Sequence, residues 1–309
     1  MKYRFIIMAF LLAGATACDK TEELNPRTGP ENVAGDWMLP QGDHDYDDYI
    51  ADFLERYNTL ILYKYDPVNI YWNITSNAYS PVHYDTAGNV AAAGYADLPA
   101  DEEYIDEQLE LIKTKFLDHY PDDFLAGMLP KKILLVKSFN SIARNGTATD
   151  AAPASGVDYL LFQWGGEEIL TMTPGQVNTF KTRASDVFLR KLVNSGKIER
   201  DPVFLSISNY ATTGSTNPER IANGFIAPSA TVAAEDWNAY VTAIVSTPYD
   251  TLVAPRGTLP ITNFVNRRGI LTPGYDTGGL IRKKYDAMIA YFRDIHGIDL
   301  QAIGDDHER

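Results

Sequence analysis

Residues 157–196 read VDYLLFQWGGEEILTMTPGQVNTFKTRASDVFLRKLVNSG, and a change of period inside this stretch decides the fold. Val157 to Trp164 is an apolar and aromatic run of strand length, and Gly165-Gly166 is a hairpin signal that predicts a second strand over Glu167 to Met172. At Thr173-Pro174 the pattern switches to helical, because proline fits the first turn of a helix. Val177, Phe180, Ala184, Val187, Phe188 and Leu192 mark the buried face of that helix, and Asn194-Ser195-Gly196 ends it.

Working upstream, Lys131 to Phe139 (KKILLVKSF) has four consecutive apolar residues and predicts a buried strand, followed by a Gly/Ala/Asn/Pro loop from Asn140 to Ser155. Asp101 to Leu117 carries a helical stripe of Tyr104, Ile105, Leu109, Leu111, Ile112, Phe116 and Leu117, with Asp101 placed to cap it. Asp47 to Tyr57 is a further amphipathic helix, and Leu60 to Tyr65 (LILYKY) reads as a strand. Tyr71 to Tyr95 is rich in Tyr, Asn, Pro and Gly and reads as loop with one short strand or turn. Downstream, helices are expected from Val232 to Val245 and from Asp276 to Ile295, the latter stopped by Gly297. Strands gather in the first half and helices in the second, which predicts α+β with an N-terminal mixed sheet and C-terminal helices.

The chain has 309 residues, 45% hydrophobic and 22% charged, an ordinary composition for a folded protein. Its 27 basic against 41 acidic residues give a net charge of −14, and no basic run exceeds Arg267-Arg268 or Lys283-Lys284. A nucleic-acid partner is therefore not expected, because neutralising phosphates requires a basic face. With one cysteine no intramolecular disulfide can form.

That cysteine follows MKYRFIIMAFLLAGATA: a basic start at Lys2 and Arg4, an apolar run from Phe5 to Leu12, and small residues at Gly14 to Ala17 before Cys18. The order is that of a secretory signal, and eight apolar residues are too few to span a bilayer. The segment resembles the lipobox of bacterial lipoproteins, with Ala15 where that pattern prefers Leu. The resemblance implies a diacylglycerol thioether and an acylated amino terminus on Cys18. Each buried methylene contributes about 0.8 kcal/mol to such an anchor. Residues 1–17 are then a leader, 18–42 a flexible acidic tether and 43–309 a single domain. Removing the leader takes away two positive charges and leaves −16. Acidic residues after the cysteine (Asp19, Glu22, Glu23) resemble surface-export signals of Gram-negative lipoproteins, so the cell-surface side of the outer membrane is expected; a solvated tether explains them equally.

The lipobox, FLERYNTLILYKYD at 53–66, PKKILLV at 130–136, the Gly-Gly signal, the long helix, EDWNAYVTAIV at 235–245 and YFRDIHGIDL at 291–300 occur in this order. Together they resemble the substrate import-associated zinc metallohydrolase lipoproteins, also described as zinc-binding metallopeptidases, over roughly Tyr46 to Ile303. The resemblance implies a zincin-like metallopeptidase domain, a zinc ion, and a place beside a TonB-dependent uptake complex.

In that family the long helix carries HExxH, whose two histidines bind Zn²⁺ on one helix face while the glutamate activates the metal-bound water. Here the motif falls on Thr182-Arg183-Ala184-Ser185-Asp186, so both histidines and the general base are replaced. The five histidines are His44, His83, His119, His296 and His307, with none between Tyr120 and Ile295 and no HxxxH spacing. No metal ligand set and no zinc are therefore expected. Asp186 with Glu235 and Asp236, which match the family's downstream acids, leave two readings: a hard cation such as Ca²⁺, or a salt bridge from Arg183 to one of these carboxylates. The second is favoured, because an unpaired acid in a cleft is costly and arginine bonds it well.

Ser206, Ser208 and Ser215 have no neighbouring histidine or GxSxG context, and His83 and His119 read as partly buried polar residues. Gly269, Gly274, Gly278 and Gly279 are too dispersed for a phosphate loop and mark a mobile loop before the last helix. Tyr71, Trp72, Tyr79 and Tyr84 can stack on sugar rings or grip peptides if exposed; a locally packed loop is the plainer expectation. The sequence thus points to an inactive, membrane-anchored member of a metallohydrolase family. Its alternatives are an enzyme using a non-standard site and a purely structural or adhesive surface lipoprotein.

Overall fold

A single long strand organises the first half of the chain. The computed structural model describes residues 39–71, 79–227, 229–260 and 266–307; the leader, Cys18, most of the tether and Trp72 lie outside them. In chain order come α1 (Asp45–Tyr57), β1 (Leu60–Leu62), α2 (Val68–Tyr71), β2 (His83–Tyr84), β3 (Val90–Ala92), β4 (Gly94–Pro99), α3 (Ile105–Lys115) and α4 (Asp122–Met128). Next are β5 (Lys132–Ile142), β6 (Ala148–Asp150), β7 (Ala154–Ser155) and β8 (Tyr159–Phe162). The remainder is helical: α5 (Pro174–Asn194), α6 (Pro202–Ile207), α7 (Asn217–Ala222), α8 (Ala233–Ser246), α9 (Tyr249–Val253), α10 (Leu280–His296) and α11 (Leu300–Asp305). The architecture is α+β with a mixed sheet, as the segregation of patterns predicts.

The first half of β5 lies between two parallel neighbours, β1 (Ile61↔Ile133) and β8 (Leu160↔Ile133). Its second half pairs antiparallel with β4 (Ala96↔Asn140) and β6 (Asn140↔Asp150). Side chains alternate across the sheet, so Ile61, Ile133, Leu135, Leu160 and Phe162 join the main core with the helices. Leu60, Leu62, Leu134, Val136, Tyr159 and Leu161 face a smaller core closed by Ile70, Phe139, Ala152 and Ala154. Both faces are covered, which explains why these strands read as continuous apolar runs rather than as alternation.

Several helix limits shift for identifiable reasons. Asp47, expected to begin α1, sits in its first turn and accepts from the His44 N–H (3.1 Å) and the Tyr63 hydroxyl (2.9 Å). Asp276 precedes α10 and caps it, its carboxylate accepting from Ile281 N (3.1 Å) and Arg282 N (2.8 Å). Gly297, at φ 69°, closes α10 through bonds from its own N–H to Arg293 O and from Ile298 N to Phe292 O.

Three expectations need correction. No strand follows Gly165-Gly166; Glu167–Thr171 is a 3₁₀ turn. Gly165 is pinned between β5 and the segment after β4 by its N–H to Val136 O (3.0 Å) and by Asp101 N to its carbonyl (2.8 Å), so the chain does not fold back into a hairpin there. The expected loop at 140–155 contains the end of β5, β6 and β7, and the 71–95 segment includes β2, β3 and the start of β4. Short strands escape a reading based on apolar runs because their partners, not their side chains, define them. Tyr71 and Tyr79 pack on the smaller core, whereas Tyr84 is exposed.

Among the described residues, no helix is long and apolar enough to cross a membrane. Leu135→Ala, in the middle of β5, is expected to cost about 2–5 kcal/mol in denaturant unfolding. Burial pushes His119 and His296 below the usual histidine range; Asp306 opposes this at His119, while Lys181 and Lys115 add to it. The unfolded chain protonates these rings near pH ~6.5 and the folded chain only at lower pH. Stability is thus fully present above that pH and declines as pH falls through it. A His119→Asn/His296→Asn variant should show a shallower fall in melting temperature between pH ~7 and ~5; an unchanged slope would refute the assignment.

Candidate functional site

The helix onto which the resemblance places the HExxH motif is α5. Thr173 caps it in a reciprocal arrangement, its hydroxyl accepting from Gln176 N and Gln176 Oε1 accepting from Thr173 N (2.8 Å), with Pro174 in the first turn. Phe180, Lys181, Ala184, Ser185, Phe188, Leu189 and Leu192 form its buried stripe. Thr182, Arg183 and Asp186 lie on the flanks of that stripe and are half-buried.

Arg183 and Asp186 each have a partner. Arg183 donates from Nη1 to Asp150 Oδ2 at 2.5 Å. Asp186 accepts from Arg190 Nε at 2.7 Å and from the Thr242 hydroxyl of α8 at 2.6 Å. The expected bridge from Arg183 to Asp186, Glu235 or Asp236 is therefore corrected. Pairing of β6 with β5 carries Asp150 to the side of α5, while Arg190, one turn along, already neutralises Asp186.

Glu235 and Asp236 separate because successive helical residues point about 100° apart. Glu235 is exposed in the first turn of α8, whereas Asp236 is completely buried. Asp236 Oδ2 accepts from Lys284 Nζ of α10 at 2.5 Å and from the Tyr210 hydroxyl at 2.7 Å. Lys284 also donates to Gly224 O (3.2 Å), and the rings of Phe204, Tyr210, Phe225 and Tyr240 surround it with centroids 4.6–5.5 Å from Nζ. Burial pushes the Asp236 carboxyl up and the Lys284 ammonium down, and the opposite charge of each partner counters both shifts. Asp236 Oδ1 is buried with no hydrogen-bond partner.

These residues do not fit a zinc ion. His44 lies 3.2 Å from Glu102 and His119 3.3 Å from Asp306, His296 packs among Phe124, Tyr291 and Phe292, and His83 and His307 are exposed. Among the described residues no three His, Cys, Asp or Glu side chains gather in a metal-binding arrangement. The three acids considered for a hard cation are likewise not brought together.

Lys284 was not singled out from sequence, although a signal exists: it falls three residues after Ile281 and four before Met288, inside the apolar stripe of α10. A lysine in that position needs a buried acid. Lys181 shows the same signature within α5 and donates to the carbonyls of Ile303 and Asp306, fixing the C-terminal helix. Two cavities lie near these elements. One of about 540 Å³ opens between α1, α3 and α4, rimmed by the Arg56–Asp122 and Lys113–Asp118 pairs. The other, of about 400 Å³, lies against α5 and β5 beside Trp164 and Asp150.

Lys284→Met should strand the Asp236 charge and lower stability by about 3–5 kcal/mol, while Lys284→Met with Asp236→Leu recovers most of it. Arg183→Ala, at a partly exposed pair, should cost no more than about 1 kcal/mol. Urea denaturation of the four proteins checks both orders.

Residues 70–301 match the family described as "Putative zinc-binding metallo-peptidase". A crystal structure of a protein of that description from Bacteroides caccae is 15% identical, with 85% of this chain and 92% of that one covered and a TM-score of 0.42. No curated protein matches the sequence. With the match spanning most of its length, the chain belongs to the zinc-binding metallo-peptidase family.

Proposed function

We propose that this chain is a family member that no longer hydrolyses peptides and serves as a lipid-anchored binding protein at the outer membrane, associated with substrate import. One observation carries the reading: Arg183 stands where the resemblance places the general base, and it is tied to Asp150. Thr182 and Asp186 stand where it places the histidines, with Asp186 held by Arg190 and Thr242. An arginine cannot accept a proton from water at neutral pH, and neither flanking side chain offers an imidazole.

The anchor belongs to the same proposal. Lipidated Cys18 holds residues 43–309 at the cell surface through the acidic tether, beside a TonB-dependent transporter. Support comes from the order of charged, apolar and small residues before Cys18 and from the family resemblance.

Elemental analysis of the purified protein should find zinc far below one atom per chain, with no cleavage of a peptide library. One tightly held zinc per chain, or cleavage that a chelator stops, would overturn the reading. Cys18→Ser should move the protein from the membrane to the soluble fraction. A TonB-dependent transporter should co-purify from detergent-solubilised membranes, and its consistent absence would refute the import role.

A further inference from the structure

We propose that the cavity beside Trp164 is a binding site for a neutral carbohydrate. The site is independent of whether the chain hydrolyses peptides. Trp164 has φ 80°, a left-handed conformation rare for a bulky residue and strained there. The surrounding backbone enforces it. Trp164 N donates to Lys137 O (3.3 Å), Gly165 N to Val136 O (3.0 Å) and Asp101 N to Gly165 O (2.8 Å). A Cβ on Gly165 would lie 2.5 Å from Ala100 Cβ, so the adjoining glycine is fixed by close approach. Trp164 packs on the main core and also lines the cavity. A strained aromatic at a cavity wall is the kind of outlier that marks ligand sites.

The remaining wall selects the ligand. Phe180 adds apolar surface, and Ser138, Asn140, Gln163 and Thr179 supply neutral hydroxyl and amide groups. Two of the charged groups on the wall are matched before any ligand arrives, Lys137 by Asp101 at 2.7 Å and Asp150 by Arg183 at 2.5 Å, and the third, Glu168, leaves a carboxylate that can accept from ligand hydroxyls. An anionic ligand thus gains little beside the Glu168 carboxylate. A wholly apolar one would strip water from the amides without replacing their hydrogen bonds. A peptide strand would need free main-chain groups on β5, but over 140–142 that strand is paired with β4 on one side and β6 on the other. A pyranose presents a C–H face for the indole and hydroxyls that donate and accept around its rim. The volume of about 400 Å³ falls in the range of small-ligand sites, roughly 300–1,000 Å³.

The test is calorimetric titration of the full lipidated chain in a non-glycosidic detergent. The probes are methyl glycosides of glucose, galactose, mannose, xylose and N-acetylglucosamine, their neutral oligosaccharides, glucuronate and an unrelated tetrapeptide. At least one neutral sugar should bind saturably, and Trp164→Gly should weaken it by about tenfold or more. Glycine adopts φ 80° freely, which offsets part of the packing lost from the main core, so the variant should still fold with a cooperative unfolding transition. Asn140→Ala is a second probe of the wall and should weaken the same sugar. No saturable neutral sugar, binding by glucuronate or the peptide alone, or unchanged affinity in both folded variants would each overturn the proposal.

Discussion

The two-sided pairing of β5 is the constraint on which the other elements depend. Its first half must be apolar on both faces, because β1 and β8 flank it and helices and the smaller core cover it. Its second half leaves that sandwich and meets β4 and β6, so from Lys137 onward its residues are half-buried apart from buried Phe139, and polar apart from Phe139 and Ile142. The same strand therefore anchors the core and delivers Lys137, Ser138 and Asn140 to the cavity beside α5. Gln108 of α3 ties the junction together, its Nε2 lying 3.0–3.1 Å from the carbonyls of Val136, Phe162 and Gln163.

In the helical half, ion pairs take the positions where the family resemblance implies chemistry. Asp236 and Lys284 neutralise each other inside an aromatic shell, joining α8 to α10 across the chain. Such a pair adds little net stability, since removing two charges from water costs several kcal/mol each, but it penalises any packing that separates them. Asp186, Arg190 and Thr242 join α5 to α8 at a half-exposed level. Arg183 faces the other way, to β6. The side chains at the positions where the resemblance implies a metal centre thus tie the helices to one another and to the sheet.

Much of the fold was legible because burial leaves a periodic trace. The stripe of α5, the run at 131–139 and the glycine after α10 specify their elements through local sterics and apolar area. The Gly165-Gly166 signal misled because a glycine pair permits a hairpin without requiring one; contacts with Ala100 and Gln108 decided its use. The site was legible by subtraction. The distribution of histidines excluded HExxH, but the partners of the remaining acids could not be read, because they come from β6, α8 and α10.

By itself, the sequence determined the α+β class, the family resemblance, the lipobox-like order before Cys18 and the absence of an HExxH motif, all carried by residue identity and short-range spacing. Tertiary structure alone decided that Asp150 takes Arg183, that Lys284 enters the core for Asp236, and that Trp164 is held at φ 80° on a cavity wall. Pairings between residues tens of positions apart leave no local period. They arise only when packed elements enclose a charge that must find its opposite or hold a backbone that must accept strain.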